Sequence, residues 1–174
     1  MGLVFPENIK KQIADELSNT SEHLHIISAY CKLDAIRFIE DSIKKNIPNK
    51  KLMVRFKFDD IISGASDLKV YEYCKQFGWQ VYVRFDLHAK TYVFDRNRGI
   101  IGSANLTSKG VGLGNQPNCE LAYLAPITNE EMMKISSLFE NALLMTDDLY
   151  EKMRICLEAT NANHCDIGDW SDDI

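Results

Sequence analysis

The chain has 174 residues, enough for one domain with a substantial core, and its 45% hydrophobic and 26% charged residues are the balance of a globular protein. A formal net charge of −5 argues against a surface coated in basic charge for non-specific nucleic-acid binding, though not against a local basic groove. No apolar run approaches the roughly 20 residues of a membrane span. The opening "MGLVFPENIKKQ" lacks the basic and apolar segments of a secretory signal, and Pro6 breaks the myristoylation pattern, so the expected location is the cytoplasm.

Five cysteines (Cys31, Cys74, Cys119, Cys156, Cys165) stand at long spacings with no CxxC pair, which predicts reduced, mostly buried thiols. His164 beside Cys165 is an isolated pair, short of the roughly four ligands of a structural zinc site. Four aspartates crowd the last nine residues, and without them the chain is nearly neutral. Residues 161–174 therefore read as an acidic, flexible tail after a domain spanning 1–160.

In chain order, Ile9, Ile13, Ala14 and Leu17 recur at helical spacing from Glu7 to about Leu17. "HLHIISAY" (His23 to Tyr30) is a short strand. "KLDAIRFIEDSIKKNI" places Leu33, Ile36, Ile39, Ile43 and Ile47 on one helical face, closed by Pro48. "KLMVRFKF" (Lys51 to Phe58) is a strand. "SDLKVYEYCKQFG" reads as a helix with Ser66 at its N-cap and Gly78 at its end. "WQVYVRF" alternates with period two. Strands separated by crossover helices indicate an α/β sheet. Three further strand-like runs then follow, "HAKTYVFD", "GIIGSA" and "CELAYLA", the first two joined by the hairpin chemistry of Asp95 to Gly99. The sheet should therefore be mixed, with helices on both faces. Thr128 and Glu131 form a capping box at the head of a helix with Ile135, Leu138, Phe139 and Ala142 as its buried stripe. A C-terminal helix runs through "DDLYEKMRICLEA".

The stretch "LHAKTYVFDRNRGIIGSANLTSKG" (Leu87 to Gly110) carries the chemistry. Strand parity puts His88 and Lys90 on one face. An imidazole beside an ammonium suits a phosphate better than a core: the lysine supplies fixed positive charge, the imidazole a nucleophile or acid near neutral pH. Ser103 and Asn105 add neutral donors for phosphate oxygens, and Gly102 permits close approach. Glu120 sits in an apolar run and needs a partner, for which a histidine ring nitrogen is a natural choice. Taken singly, each has a bland reading as a surface or turn residue.

Together, His88-x-Lys90-x4-Asp95-x6-Gly102-Ser103-x-Asn105 resembles the HxK(x)4D(x)6GSxN signature of the phospholipase D superfamily, with no departure at a defining position. The element order over about residues 7 to 145 is similar to the family's α/β/α half. The resemblance implies that His88 is a nucleophile forming a phosphohistidine, that Lys90, Ser103 and Asn105 hold the phosphoryl oxygens, and that Glu120 orients His88. Asp95 faces away on parity and takes a structural role, bonding the hairpin. Family members of this kind work without a metal, so no cofactor is expected.

The family's site uses two such motifs, one histidine attacking and the other protonating the leaving oxygen. Of four histidines here, only His88 has a lysine two residues on, so one chain carries half a site and a homodimer would complete it. The small single-motif members are bacterial nucleases and catalytic halves of restriction enzymes. The resemblance thus implies a nuclease, with DNA ahead of RNA, and Lys109, Arg55, Lys57 and Arg84 as candidate backbone contacts. A phospholipase or phosphatidyl-transfer enzyme and a catalytically silent nucleic-acid-binding subunit are the alternatives. The 174 residues leave no room for a recognition domain, so either the enzyme is non-specific or its specificity comes from another protein subunit or from a portion beyond this sequence, and a defence role against foreign DNA follows by analogy only. No membrane partner is expected.

Overall fold

The computed structural model describes residues 1–163, with side chains through 159; the C-terminal helix runs to Asn163, so the first three residues of the expected tail are helical, while its four aspartates and the His164–Cys165 pair lie outside the described residues. Eight strands form one mixed sheet: β1 (Gly2–Val4), β2 (His23–Ser28), β3 (Asn49–Val54), β4 (Trp79–Val83), β5 (Lys90–Phe94), β6 (Arg98–Gly102), β7 (Ala122–Pro126) and β8 (Leu143–Leu144). Their order is β1-β7-β6-β5-β2-β3-β4-β8. β2, β3 and β4 run parallel, whereas β2–β5, β5–β6, β6–β7, β1–β7 and β4–β8 are antiparallel. The expected mixed sheet is thus present, with β2 as the strand where its two halves meet.

The helices are α1 (Ile9–Asn19), α2 (Leu33–Ser42), α3 (Phe58–Ile62), α4 (Val70–Gln76), α5 (Asn129–Glu140) and α6 (Asp147–Asn163). Alternation along the strands divides them between two layers. Leu24 and Ile26 of β2, Leu52 and Val54 of β3, and Tyr92 and Phe94 of β5 face a core closed by Ile13 and Leu17 of α1, Ile36 and Ile39 of α2, Val70 and Cys74 of α4, and Met153 of α6. The intervening Ile27 and Met53 lie under Phe139 of α5, and Val93 under Met132 of the same helix.

Several local readings are corrected. α2 stops at Ser42, and Ile43 turns into extended backbone, so Ile47 joins the core from the loop rather than from a helical stripe. The strand from Lys51 ends at Val54; Phe56 takes φ 43°, and Phe58 opens α3. Ser66 is not an N-cap but is buried, its Oγ accepting the Cys31 N–H at 3.2 Å. On α5 the capping box is present, but Leu138 is 38% exposed and Met132 takes its place in the core. Of the four cysteines described, Cys31 and Cys74 are buried, Cys156 half-buried and Cys119 exposed. Among the described residues, no helix is long and apolar enough to cross a membrane.

One buried group marks a weak point. His25 on β2 is 5% exposed, packs 5.4 Å from the Phe139 ring, and leaves its Nδ1 without a hydrogen bond. Burial, then the charges of Lys51, His23 and Arg96, push its pKa from 6.5 down to about 4. The folded state therefore prefers neutral His25. Its contribution is intact above about pH 6.5 and is lost as pH falls toward about 4, by roughly 3 kcal/mol. Thermal melts of wild type and His25→Leu between pH 7 and pH 4 test this: the wild type should lose stability more steeply over that window, and parallel profiles would contradict it.

Candidate active site

The motif residues collect where β2, β5 and β6 end their pairing. Lys90, the first residue of β5, stands opposite Ser28, the last of β2, and the pairing continues one step further as Ala29 N–H donates to Ala89 C=O at 3.1 Å. His88 therefore sits in the extended lead-in to β5 rather than inside the strand. Its side chain is exposed and has no hydrogen-bond partner among the described residues. Lys90 folds back so that its Nζ donates to the His88 carbonyl at 2.7 Å. Partial burial and the nearby Arg55 lower the Lys90 pKa, against the pull of Glu120. These are the marks of a cation held ready for an anion.

Asn105 is held from the other side. Its Oδ1 accepts the Tyr30 N–H at 3.2 Å, which leaves its Nδ2 available as a donor. The turn that carries it is pinned to β2, because Ser28 Oγ accepts the Leu106 N–H at 2.8 Å and donates to the Tyr30 carbonyl at 2.7 Å. Gly110 lets this turn close: a Cβ there would fall 2.3 Å from the Asn105 carbonyl. Gly102 does the same for the next strand, since a Cβ would stand 2.4 Å from the Leu121 carbonyl.

Ser103 and Glu120 are joined directly, Ser103 Oγ donating to Glu120 Oε2. The second Glu120 oxygen accepts from Asn118 Nδ2 at 3.0 Å. The expected bond from Glu120 to His88 is therefore not made within the chain: the carboxylate, 8% exposed, is satisfied by Ser103 and Asn118. It still lies within electrostatic reach of Lys90.

Asp95 follows Phe94 at the opposite end of β5 from Lys90, away from the phosphate-facing groups. Its carboxylate accepts N–H bonds from Ser21 at 3.1 Å, Glu22 at 2.8 Å and His23 at 3.0 Å, clamping the β5–β6 hairpin onto the start of β2. Asp95 and Arg96 form the turn with φ of 46° and 62°, the left-handed pair that suits a tight hairpin. Burial alone would raise the carboxyl pKa; the bonds from His23, Glu22 and Ser21 outweigh it and hold it below the usual range.

The four basic candidates separate. Arg55 reaches the site, but Asp60 holds its guanidinium at 2.6 and 2.7 Å and the Tyr30 hydroxyl at 2.9 Å. Arg84 pairs with Asp86 at 2.7 Å. Lys57 is the residue before α3. Lys109 is exposed and lines a cleft of about 510 Å³ together with Tyr30, Lys32, Asn105, Thr107 and Asn118. Sequence reasoning missed Ser28, Tyr30, Asp60, Gly110 and Asn118. The polar residues ending the apolar run of β2, and the i, i+2 pairing of Asn118 with Glu120, were the available signals. No group of three or more potential metal ligands occurs among the described residues.

Residues 13–143 match the family described as cardiolipin synthase, PLD-like domain. No curated protein matches the sequence. Among solved structures, the fold is similar to Nuc, a phospholipase D family member from Salmonella typhimurium, at 11% identity and a TM-score of 0.62, covering 83% of this chain and 97% of that one. It is similar to NucT from Helicobacter pylori at 15% identity and a TM-score of 0.55, covering 82% and 97%. It also resembles phosphatidylserine synthase from Haemophilus influenzae Rd KW20, at 13% identity and a TM-score of 0.60, over 92% of this chain but 44% of that protein. The chain belongs to the phospholipase D superfamily, and its fold and family support action on a phosphodiester.

The three backbone bonds to Asp95 carry a stability consequence. Asp95→Ala should cost about 2–3 kcal/mol in urea denaturation, since it removes a charge-assisted acceptor and leaves three donors without it. A loss below about 0.5 kcal/mol would show that the clamp contributes little.

Proposed function

We propose that this protein is a metal-independent nuclease, acting on DNA in preference to RNA, whose active site is shared by two subunits. The observation that carries the proposal is the exposed imidazole of His88, unpartnered among the described residues, beside Lys90, the Asn105 carboxamide and the Ser103–Glu120 pair.

The reaction these groups support runs in two displacements. A ring nitrogen of His88 attacks phosphorus, a nitrogen–phosphorus bond forms, and the bond to the leaving oxygen breaks. That oxygen needs a proton, which a second imidazole supplies as general acid. Among the described residues, the other histidines, His23 and His25, lie toward the opposite end of β2 from Lys90, so the acid is assigned to the partner's His88. Water then attacks phosphorus, gives its proton to that imidazole, and the nitrogen–phosphorus bond breaks. Lys90 and the Asn105 Nδ2 hold the non-bridging oxygens as charge builds, and Ser103 orients the approach.

A nucleic-acid substrate is favoured over a phospholipid by the cleft beside Asn105. Lys32, Lys109, Thr107 and Asn118 line it, with Tyr30 as its aromatic wall and only Gly64 and Ala65 as small apolar groups. Such a lining fits a charged backbone and a base and offers no large aliphatic surface to acyl chains. The fold shared with phosphatidylserine synthase keeps phosphatidyl transfer as the second reading.

Incubation with plasmid DNA in EDTA tests the proposal. Cleavage between about pH 5 and 8, the range in which an imidazole titrates, is expected. His88→Ala should lower the rate by at least about a thousandfold. Absence of cleavage across that range, with headgroup release from phosphatidylcholine vesicles instead, would replace the nuclease reading with the lipid one.

A further inference from the structure

The cleft beside Asn105 is lined unevenly. Two of its residues carry cations, and they differ in availability. Lys32 Nζ is held by Asp67 at 2.6 Å and by the Gly64 carbonyl at 3.0 Å. Lys109 is exposed and has no side-chain partner among the described residues. It follows Asn105 by four residues, so the part of the cleft able to neutralise a phosphate is the part that carries the motif. Tyr30, Gly64 and Ala65 line the cleft without offering a phosphate any charge.

Tyr30 is fixed at three points. Its N–H donates to Asn105 Oδ1 at 3.2 Å, its carbonyl accepts from Ser28 Oγ at 2.7 Å, and its hydroxyl accepts from Arg55 at 2.9 Å. The Arg55 guanidinium also lies over the ring, 4.8 Å from its centroid, and Asp60 holds that guanidinium by two bonds. Arg55 does not itself line the cleft, so it backs the ring and leaves the other face to the cleft. The wall is a rigid aromatic plane behind which Asp60 offsets the positive charge. Gly64 and Ala65 keep bulk away from it; even a Cβ on Gly64 would meet nothing within 4 Å.

We propose that the Tyr30 ring is a stacking platform for a nucleobase beside the scissile phosphate, and that it selects unpaired nucleotides. The inference rests on the nuclease reading and names the form of nucleic acid which that reading leaves open. The residue that presents the ring also orients Asn105. The base on the ring therefore belongs to the nucleotide whose phosphate Asn105 holds, or to its immediate neighbour. Phosphate and base are divided between the two parts of the lining: charge and carboxamide for one, a neutral aromatic face for the other. In a duplex, both faces of each internal base are covered by its neighbours, and the base reaches such a ring only after extrusion. A single strand presents its bases without that cost. Because the ring is held before substrate arrives, little ordering offsets the stacking.

Matched single-stranded and duplex DNA oligonucleotides, with one abasic site walked along the single strand and every cut mapped, test the platform. The wild type should cut the single strand with kcat/KM at least about tenfold above the duplex. One linkage, at a fixed offset from the abasic site, should be cut at least about fivefold more slowly than in the intact strand. Tyr30→Phe keeps the ring and should keep that depleted linkage. Tyr30→Leu, checked for folding by circular dichroism, should lose it. Should Tyr30→Leu not fold, the walk on the wild type decides alone. A wild type that cuts duplex as fast as single strand, or that shows no depleted linkage, overturns the inference and leaves the nuclease standing. A depletion that persists in folded Tyr30→Leu puts the base elsewhere and overturns the platform. No cutting of either substrate overturns the nuclease reading and the inference with it.

Discussion

The pairing of β5 with β2 is the contact on which the rest depends. β2 already belongs to a parallel β2-β3-β4 unit, and β5 enters beside it in the opposite direction. Each end of that pair is then fixed by a polar device. At one end Asp95 gathers the N–H groups of Ser21, Glu22 and His23; at the other, Ser28 and the Tyr30 N–H secure Leu106 and Asn105. Lys90 stands opposite Ser28 because of this register. A slip of one residue would send Lys90 to the other face and break both clamps.

Polar satisfaction decides which site groups stay available. Glu120, Arg55 and the Asn105 oxygen are committed to protein partners: Ser103 and Asn118, Asp60 and Tyr30, and the Tyr30 backbone. Those bonds hold the groups in place and remove much of their free charge or acceptor capacity. What remains open is the His88 ring, the Asn105 Nδ2 and the ammonium protons of Lys90 that the His88 carbonyl does not take, one nucleophile and two donor groups. Preorganisation of this kind lets donors meet developing charge without rearrangement at the moment of reaction.

Much of this was legible in the sequence, for identifiable reasons. Long amphipathic segments announced α1, α2 and α5, and alternation announced β4 and β5, because burial on one face dictates residue type at a fixed period. The spaced motif named Lys90, Ser103 and Asn105, and parity separated Asp95 from them. β1 and β8 were not legible, being three and two residues, too short to carry a periodic signal. Ser66 reads as a cap locally yet is used as a buried acceptor for Cys31, a contact 35 residues away. The engagement of Glu120 by Asn118 and Ser103, and of Arg55 by Asp60, likewise depends on which side chains fold together, which spacing does not encode.

The central claim is that one chain holds half of a catalytic unit and that each turnover needs two His88 side chains. Co-refolding wild type with His88→Ala at set ratios measures that requirement directly. If both histidines are needed, nuclease activity should fall as the square of the wild-type fraction, with mixed dimers contributing almost nothing. Activity that falls in simple proportion to the wild-type fraction would contradict the account, because each chain would then be working alone.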